Sequence, residues 1–165
     1  MMSLPLTLAF EVMLLLLAAN GSPVLATRIL GERGAWSVDC GWRWRDGRPL
    51  FGPGKTWRGV IVGVLVTGLV AQLLGYGFGF GLLFGAASLF GDLVSSFVKR
   101  RLGMASGDRF IGLDQIPEAL LPLLVGRSTL GLDGLSIGVL VVLFVIGALV
   151  LSRFMFRVGI RRQPH

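Results

Sequence analysis

The residues best suited to chemistry in this 165-residue chain stand where charge meets apolar sequence. Asp92 closes a long uncharged run, and Ser88, Asp92, Ser95 or Ser96, and Lys99 follow at spacings of three and four. On a helix those spacings share one face, so a carboxylate, hydroxyls and a cation would line up. Ionisable groups at membrane depth are costly in lipid and face a cavity or the bundle interior. The face could serve a ligand, or form only a structural polar seam between Asp92 and Lys99. Beyond it come Lys99-Arg100-Arg101, Asp108-Arg109 and Asp114-Gln115. A basic triplet at a membrane edge is commonly a topology anchor that also attracts anionic headgroups. Beside two aspartates it could instead grip phosphates while the carboxylates hold Mg²⁺. Glu118 falls four residues after Asp114 and would share its face if a helix begins there.

A second cluster lies earlier, in the glycine-rich stretch from Asp46 to Gly59. Gly54-Lys55-Thr56 has the ending of a phosphate-binding P-loop. That pattern needs a further glycine five residues before Gly54, and the chain has Pro49 there. No strand pattern precedes it, so an ATPase of that type is excluded. What remains is a loop with Lys55, Thr56 and Arg58 opening a membrane helix. Its amides, cations and helix N-terminus suit an anionic ligand at a bilayer surface. Trp42, Trp44 and Trp57 have the character of interfacial anchors.

Other chemistries are limited by what the chain lacks. Cys40 is the single cysteine and His165, the last residue, the single histidine. An internal disulfide, a cysteine-rich metal site and histidine general-base catalysis all fall away. A metal would be held by carboxylates, which favours a hard ion such as Mg²⁺.

The elements that must position these residues are membrane helices. The chain is 53% hydrophobic and 15% charged, with a mean hydropathy of +0.76; soluble domains carry about 25% charged residues. Its net charge of +7 is not a nucleic-acid footprint, because the basic residues punctuate long apolar runs rather than forming one basic face. The 33 uncharged residues from Gly59 to Gly91 would span roughly 50 Å as one helix, well beyond a ~30 Å hydrocarbon core. The run must fold back near Gly75-Tyr76-Gly77, with helices at about 59–74 and 78–98. Gly134–Ser152 is a 19-residue uncharged span. Leu4–Val24 is another, interrupted by Glu11 and Asn20. With no basic residue ahead of it and Glu11 inside it, this first segment reads as a retained helix rather than a signal peptide. A fifth segment, about 116–130, contains Pro117 and Pro122 and reads as a short or broken helix. Gly77, Gly81 and Gly85, continuing into Ala86, Ala87 and Ser88, form a small-residue stripe for close helix packing.

The expected fold is therefore all-α: a polytopic membrane helical bundle of about five transmembrane helices, forming one unit over 1–165. Loops 25–58 and 99–115 and the C-terminal tail carry fifteen of the sixteen basic residues, leaving Arg127 opposite. The positive-inside rule places the N-terminus outside and the C-terminus in the cytoplasm, as a multi-pass protein of the cell membrane.

Three ordered motifs carry a family resemblance: Asn20-Gly21-Ser22-Pro23-Val24-Leu25, the G-P-G-K-T-W-R-G run from Gly52 to Gly59, and G-D-L-V-S-S-F-V-K-R-R-L-G from Gly91 to Gly103 with L-D-Q at Leu113–Gln115. Across nearly its whole length the chain resembles CDP-archaeol synthase, the archaeal-type relative of CDP-diacylglycerol synthase. Both are membrane cytidylyltransferases. The resemblance implies a reaction of CTP with a lipid phosphate, a digeranylgeranylglyceryl phosphate in archaeal enzymes, giving a CDP-lipid and pyrophosphate with Mg²⁺. It implies catalytic roles for Asp92, Lys99 and Asp114. It also implies nucleotide or phosphate contacts from Lys55, Thr56, Arg58, Ser96, Arg100 and Arg101, and metal ligation by Asp92, Asp114 and Glu118. CTP, the lipid phosphate and membrane lipids are the expected partners, nucleic acid is not, and a homo-oligomer is left open.

The chain departs from the family at one place. Where the family reads L-D-Q-x-D-F, this sequence has Leu113-Asp114-Gln115-Ile116-Pro117-Glu118. Pro117 replaces the second aspartate, and Glu118 stands one residue later, about 100° around a helix. A catalytically impaired paralogue or a non-enzymatic membrane scaffold is the alternative reading. CDP-alcohol phosphotransferases, a different class using cytidine nucleotides, begin their motif Asp-Gly, two residues, Ala-Arg. Neither Asp46-Gly47 nor Asp133-Gly134 continues that way.

Overall fold

A computed structural model describes residues 4–106, 108, 110 and 112–157, with side chains described to residue 152. Six helices run in the order α1 (Leu6–Leu30), α2 (Trp57–Leu73), α3 (Phe78–Arg101), α4 (Gln115–Val125), α5 (Arg127–Leu130) and α6 (Gly134–Arg157). Among the described residues the remaining backbone pairing is two isolated antiparallel bridges, Ser37 with Thr56 and Arg43 with Pro49. Among the described residues, three helices are long and apolar enough to cross a membrane: α1, α3 and α6 from Gly134 to Ser152. The shorter apolar helices α2 and α4 complete the bundle.

The uncharged run folds back as expected, with α2 ending at Leu73 and α3 starting at Phe78. Between them Gly75 and Gly77 adopt φ of 87° and 88°, a backbone region that costs glycine little. The first helix differs from expectation, continuing six residues past Val24 to Leu30. Pro23 withdraws only its own N–H from the ladder. The hydroxyls of Ser22 and Thr27 donate to the carbonyls of Ala18 (2.6 Å) and Pro23 (3.0 Å) around it. The helix stops at Gly31, with φ 55° and its N–H on Thr27 O. The first loop accordingly spans 31–56 rather than 25–58. The segment expected as a short or broken helix over 116–130 is interrupted at Gly126 into α4 and the single turn α5.

Helix α3 is the hub, packing against α2, α4 and α1, while α6 lies mainly on α4. The approach of α3 to its neighbours requires glycine at two points. A Cβ at Gly81 would come 2.6 Å from Thr67 O on α2. At Gly91 it would run into the Pro117 carbonyl and come within 2.8 Å of Glu118 N on α4. Pro117 falls in the first turn of α4, where no intrahelical N–H is required of it. The residue that departs from the family pattern thus lies in the first turn of α4, against α3.

The bundle has two storeys. Away from the basic loops, Val12, Leu16, Phe84, Leu123 and Leu140 form a closed apolar core. Toward the loops, that core gives way to a polar seam: Asn20 Nδ2 donates to Ser88 Oγ (3.0 Å), and Ser88 Oγ donates to Glu118 O (2.8 Å). This seam joins α1, α3 and α4. Outward-facing Ile61, Leu65, Leu69, Phe90 and Ile146 are exposed, a surface suited to lipid rather than water.

Gly91→Ala should force α3 and α4 apart. Overpacking of this kind costs about 1–3 kcal/mol, so thermal unfolding in detergent should show a midpoint several degrees lower. An unchanged midpoint would show that the two helices are not locked at this point.

Candidate functional site at the membrane edge

The loop-facing end of α3 carries the charges, and each is met by a particular element. Lys55, two residues before α2, forms an ion pair with Asp92 of α3. Lys99, two turns further along α3, reaches Asp114 Oδ1 at 2.7 Å and donates to Asp108 O at 3.0 Å. Asp114 Oδ1 is sealed from solvent and, among the described residues, makes no directed hydrogen bond; the Lys99 ammonium stands beside it as counter-ion. Glu118, one turn into α4, lies near the Asp92 carboxyl and close to Lys55 and Asp114. The one-residue shift after Pro117 therefore does not carry this carboxyl out of the site. Five groups converge from three elements: three carboxyls against two ammonium groups.

Arg100 is a separate matter. Its side chain is buried, and its Nε has no hydrogen-bond partner among the described residues. It lines a cavity of about 250 Å³ together with Arg48, Gly52, Pro53, Met104 and Ser106. A guanidinium shielded from water and short of acceptors is strongly disposed to take an anion.

The other expected ligands have other tasks. The Thr56 hydroxyl caps α2 by accepting from Gly59 N at 3.2 Å. Arg58 turns away from the cluster toward the end of α1, donating to Gly31 O (3.0 Å), Arg33 O and Thr27 Oγ1 (3.4 Å). Arg101 pairs with Asp46 at 2.6 Å, donates to Arg48 O and Pro49 O, and lies 4.9 Å over the Phe97 ring. Ser96 is buried in α3, and Ser95 Oγ donates back to Asp92 O at 3.0 Å. Trp44, expected as an interfacial anchor, packs edge-on against Phe97 at 5.5 Å. Arg109, counted among the basic loop residues, lies outside the described residues.

Asn20, marked as a lone amide in the first span, pairs with the neighbouring helix through Ser88, which ties it to the backbone of Glu118. Sequence reasoning missed one contributor. Asp39 is buried in the first loop and accepts from Gly41 N (3.1 Å), Phe51 N (3.1 Å) and Gly52 N (2.9 Å). Its only local signal is Asp39-Cys40-Gly41, a side-chain-to-backbone turn. Burial pushes the Asp39 carboxyl up, but the Gly52, Phe51 and Gly41 amides and the Ser37 hydroxyl outweigh it, leaving the group below its ordinary value.

The donor set suits a hard cation. Carboxyl oxygens are the ligands Mg²⁺ prefers, and carboxyls outnumber the ammonium groups beside them. Among the described residues no three acidic or imidazole side chains form a ready-made cage. Mg²⁺ is commonly held by one or two carboxylates and completed by phosphate and water oxygens, a demand that the neighbouring Asp92 and Glu118 can meet.

Fold and site together define a helical membrane protein with a charged pocket at one end of its bundle. Comparison makes the class specific. The family model for CarS-like CDP-archaeol synthase matches residues 5–78 and 75–164. CDP-archaeol synthase of Thermococcus kodakarensis is 37% identical, the match covering 88% of each chain. That of Thermococcus onnurineus is 35% identical over 88% of this chain and 89% of the relative. The Pyrococcus abyssi enzyme is 41% identical over 67% and 69% respectively. A solved structure described as an intramembrane enzyme for archaeal membrane lipids biosynthesis superposes with a TM-score of 0.73 at 30% identity, covering 87% of this chain and 92% of that one. The chain belongs to the CDP-archaeol synthase family.

Asp39 also yields a pH prediction. A carboxyl lowered by folding contributes stability that is present above its unfolded value, about 3.9, and lost as pH falls through the folded value. Amide exchange at Phe51 and Gly52 should hold steady from pH 7 to about 5 after correction for intrinsic rates. Below about pH 4 it should accelerate, before the helices loosen. Loss of protection already near pH 6 would contradict this.

Proposed function

We propose that this chain transfers a cytidylyl group from CTP to a membrane lipid phosphate, releasing pyrophosphate, at the cytoplasmic edge of the cell membrane. The observation that carries the reading is the convergence of Lys55, Asp92, Glu118, Lys99 and Asp114 beside the Arg100 cavity. Family membership supplies the class of reaction. An oxygen of the lipid phosphate attacks the α-phosphorus of CTP, the new P–O bond forms, and the bond to the β-phosphate breaks. The attacking oxygen is already anionic, so positioning and charge neutralisation matter more than a strong base.

Lys55 sits where a loop meets a membrane helix and can exchange Asp92 for a phosphate oxygen. Arg100 offers its guanidinium to the same polyphosphate from the cavity side. Lys99 holds Asp114 at the start of α4 and so sets the distance between α3 and α4. Arg58 and Arg101 keep α1 and the first loop in place. Asp92 and Glu118 would hold Mg²⁺, with Asp114 nearby. Bound there, the ion would supply charge compensation for the triphosphate and leaving pyrophosphate. The exposed apolar flanks of the bundle suit an acceptor that stays in the bilayer, such as the isoprenoid ether phosphate implied by the family.

With radiolabelled CTP, Mg²⁺ and an ether-linked isoprenoid phosphate in detergent, wild-type protein should form CDP-lipid. Asp92→Asn, Asp114→Asn and Glu118→Gln should each lower the rate about 100-fold or more, the scale for removing an electrostatic group from an active site. Rates within twofold of wild type for Asp92→Asn and Asp114→Asn would contradict the site. A normal rate for Glu118→Gln alone would remove that residue from it.

The orientation has its own test, because exposed Cys40 in the first loop is the chain's single thiol. A membrane-impermeant maleimide should label it in inside-out vesicles and spare it in sealed right-side-out vesicles. The reverse pattern would invert the topology.

A further inference from the structure

Asp39 touches none of the five convergent charges, yet the turn that delivers Lys55 is folded around it. One carboxyl oxygen takes Phe51 N and Gly52 N while the other takes Gly41 N. Its neighbour Val38 donates N–H to Lys55 O at 2.8 Å, and Lys55 N donates to Gly52 O at 3.2 Å. The Val38-Asp39 dipeptide thus grips both ends of the four-residue turn Gly52–Lys55. Gly52 adopts φ 93°, and a Cβ there would stand 3.4 Å from Ser106 Oγ and 3.9 Å from Arg100 Cδ. One side of this turn therefore borders the Arg100 cavity while its last residue reaches Asp92.

The far side of the loop is anchored independently. Arg101 holds Asp46, and Arg48 donates to the terminal α3 carbonyls of Arg100 (3.2 Å) and Arg101 (2.8 Å). These contacts dock the loop on α3 but do not set the geometry of residues 52–55. Asp39 does so with a carboxylate that accepts three backbone donors in a site largely closed to water. Removing such an acceptor is costly, most of all at Gly52, whose buried amide would be left without a partner.

We infer that Asp39 is a positioning residue, which fixes the Gly52–Lys55 turn so that the Lys55 ammonium meets Asp92 and the turn borders the Arg100 cavity. The functional part of this inference rests on the proposed reading of Lys55 as a phosphate-binding group. No contact between Asp39 and substrate is implied; its effect passes through the turn.

The test is a double-mutant cycle on full-length protein in detergent, with Asp39→Ala, Lys55→Met and the double variant. It is read by Mg²⁺-dependent CTP binding and by thermal midpoint. Asp39→Ala should weaken CTP binding about tenfold or more, within the range of coupling between residues that act through one another. In the Lys55→Met background the same substitution should weaken binding less than threefold. Asp39→Asn, which keeps one carbonyl acceptor, should recover part of the loss and serves if the alanine variant does not fold. Additive effects on binding, or normal affinity in Asp39→Ala, would overturn the inference. If wild-type protein binds no CTP, the reading of Lys55 fails, and the cycle of thermal midpoints then decides the positioning claim. Non-additive midpoint shifts uphold the link from Asp39 to Lys55, and additive shifts refute it.

Discussion

The ion pair between Lys55 and Asp92 joins two parts of the chain that physical chemistry would otherwise keep apart. Asp92 belongs to a helix that must lie among apolar neighbours, and Lys55 to a loop free to stay in water. An unpaired carboxylate among such neighbours would be unfavourable. The loop is therefore drawn down onto α3, and much of the surrounding structure serves to hold that contact in register. Asp39 shapes the turn, Arg101 and Arg48 fasten the loop to the end of α3, and Thr56 starts α2 immediately after Lys55.

The same constraint accounts for α4. A second carboxyl can approach Asp92 only if its backbone comes very close, and Gly91 removes the side chain that would prevent it. Pro117, in the first turn of α4, leaves no N–H unsatisfied there, and its carbonyl takes the space over Gly91. Glu118 follows and meets Asp92. Glu118, one residue after the place of the family's second aspartate, thus still faces Asp92. Lys99 and Asp114 close the other side of this α3–α4 junction at 2.7 Å.

How much of this was legible beforehand depended on whether a signal was periodic. The uncharged run from Gly59 to Gly91 could only fold back, and Gly75 and Gly77 marked where. The i, i+4 face of Ser88 and Asp92 survives in three dimensions, as does the use of Gly81 and Gly85 for packing. The first span was bounded at Val24, but α1 runs on past Pro23 to Leu30, where Gly31 ends it. In the first loop nothing is periodic. Arg58 and Arg101 look like equal candidates for phosphate, and only folding shows that backbone carbonyls and Asp46 occupy them. Asp39 was invisible for the same reason, because Phe51 and Gly52 lie twelve and thirteen residues away.

On the proposed reading, a nucleoside triphosphate and a divalent cation complete the charge cluster at the end of α3. The most direct measurement is a crystal structure with Mn²⁺ and a non-hydrolysable CTP analogue, read by the anomalous signal of manganese. The expected result is a manganese peak between Asp92 and Glu118, with phosphate oxygens on Lys55 and Arg100. An analogue bound elsewhere, or a manganese peak remote from both carboxyls, would contradict it.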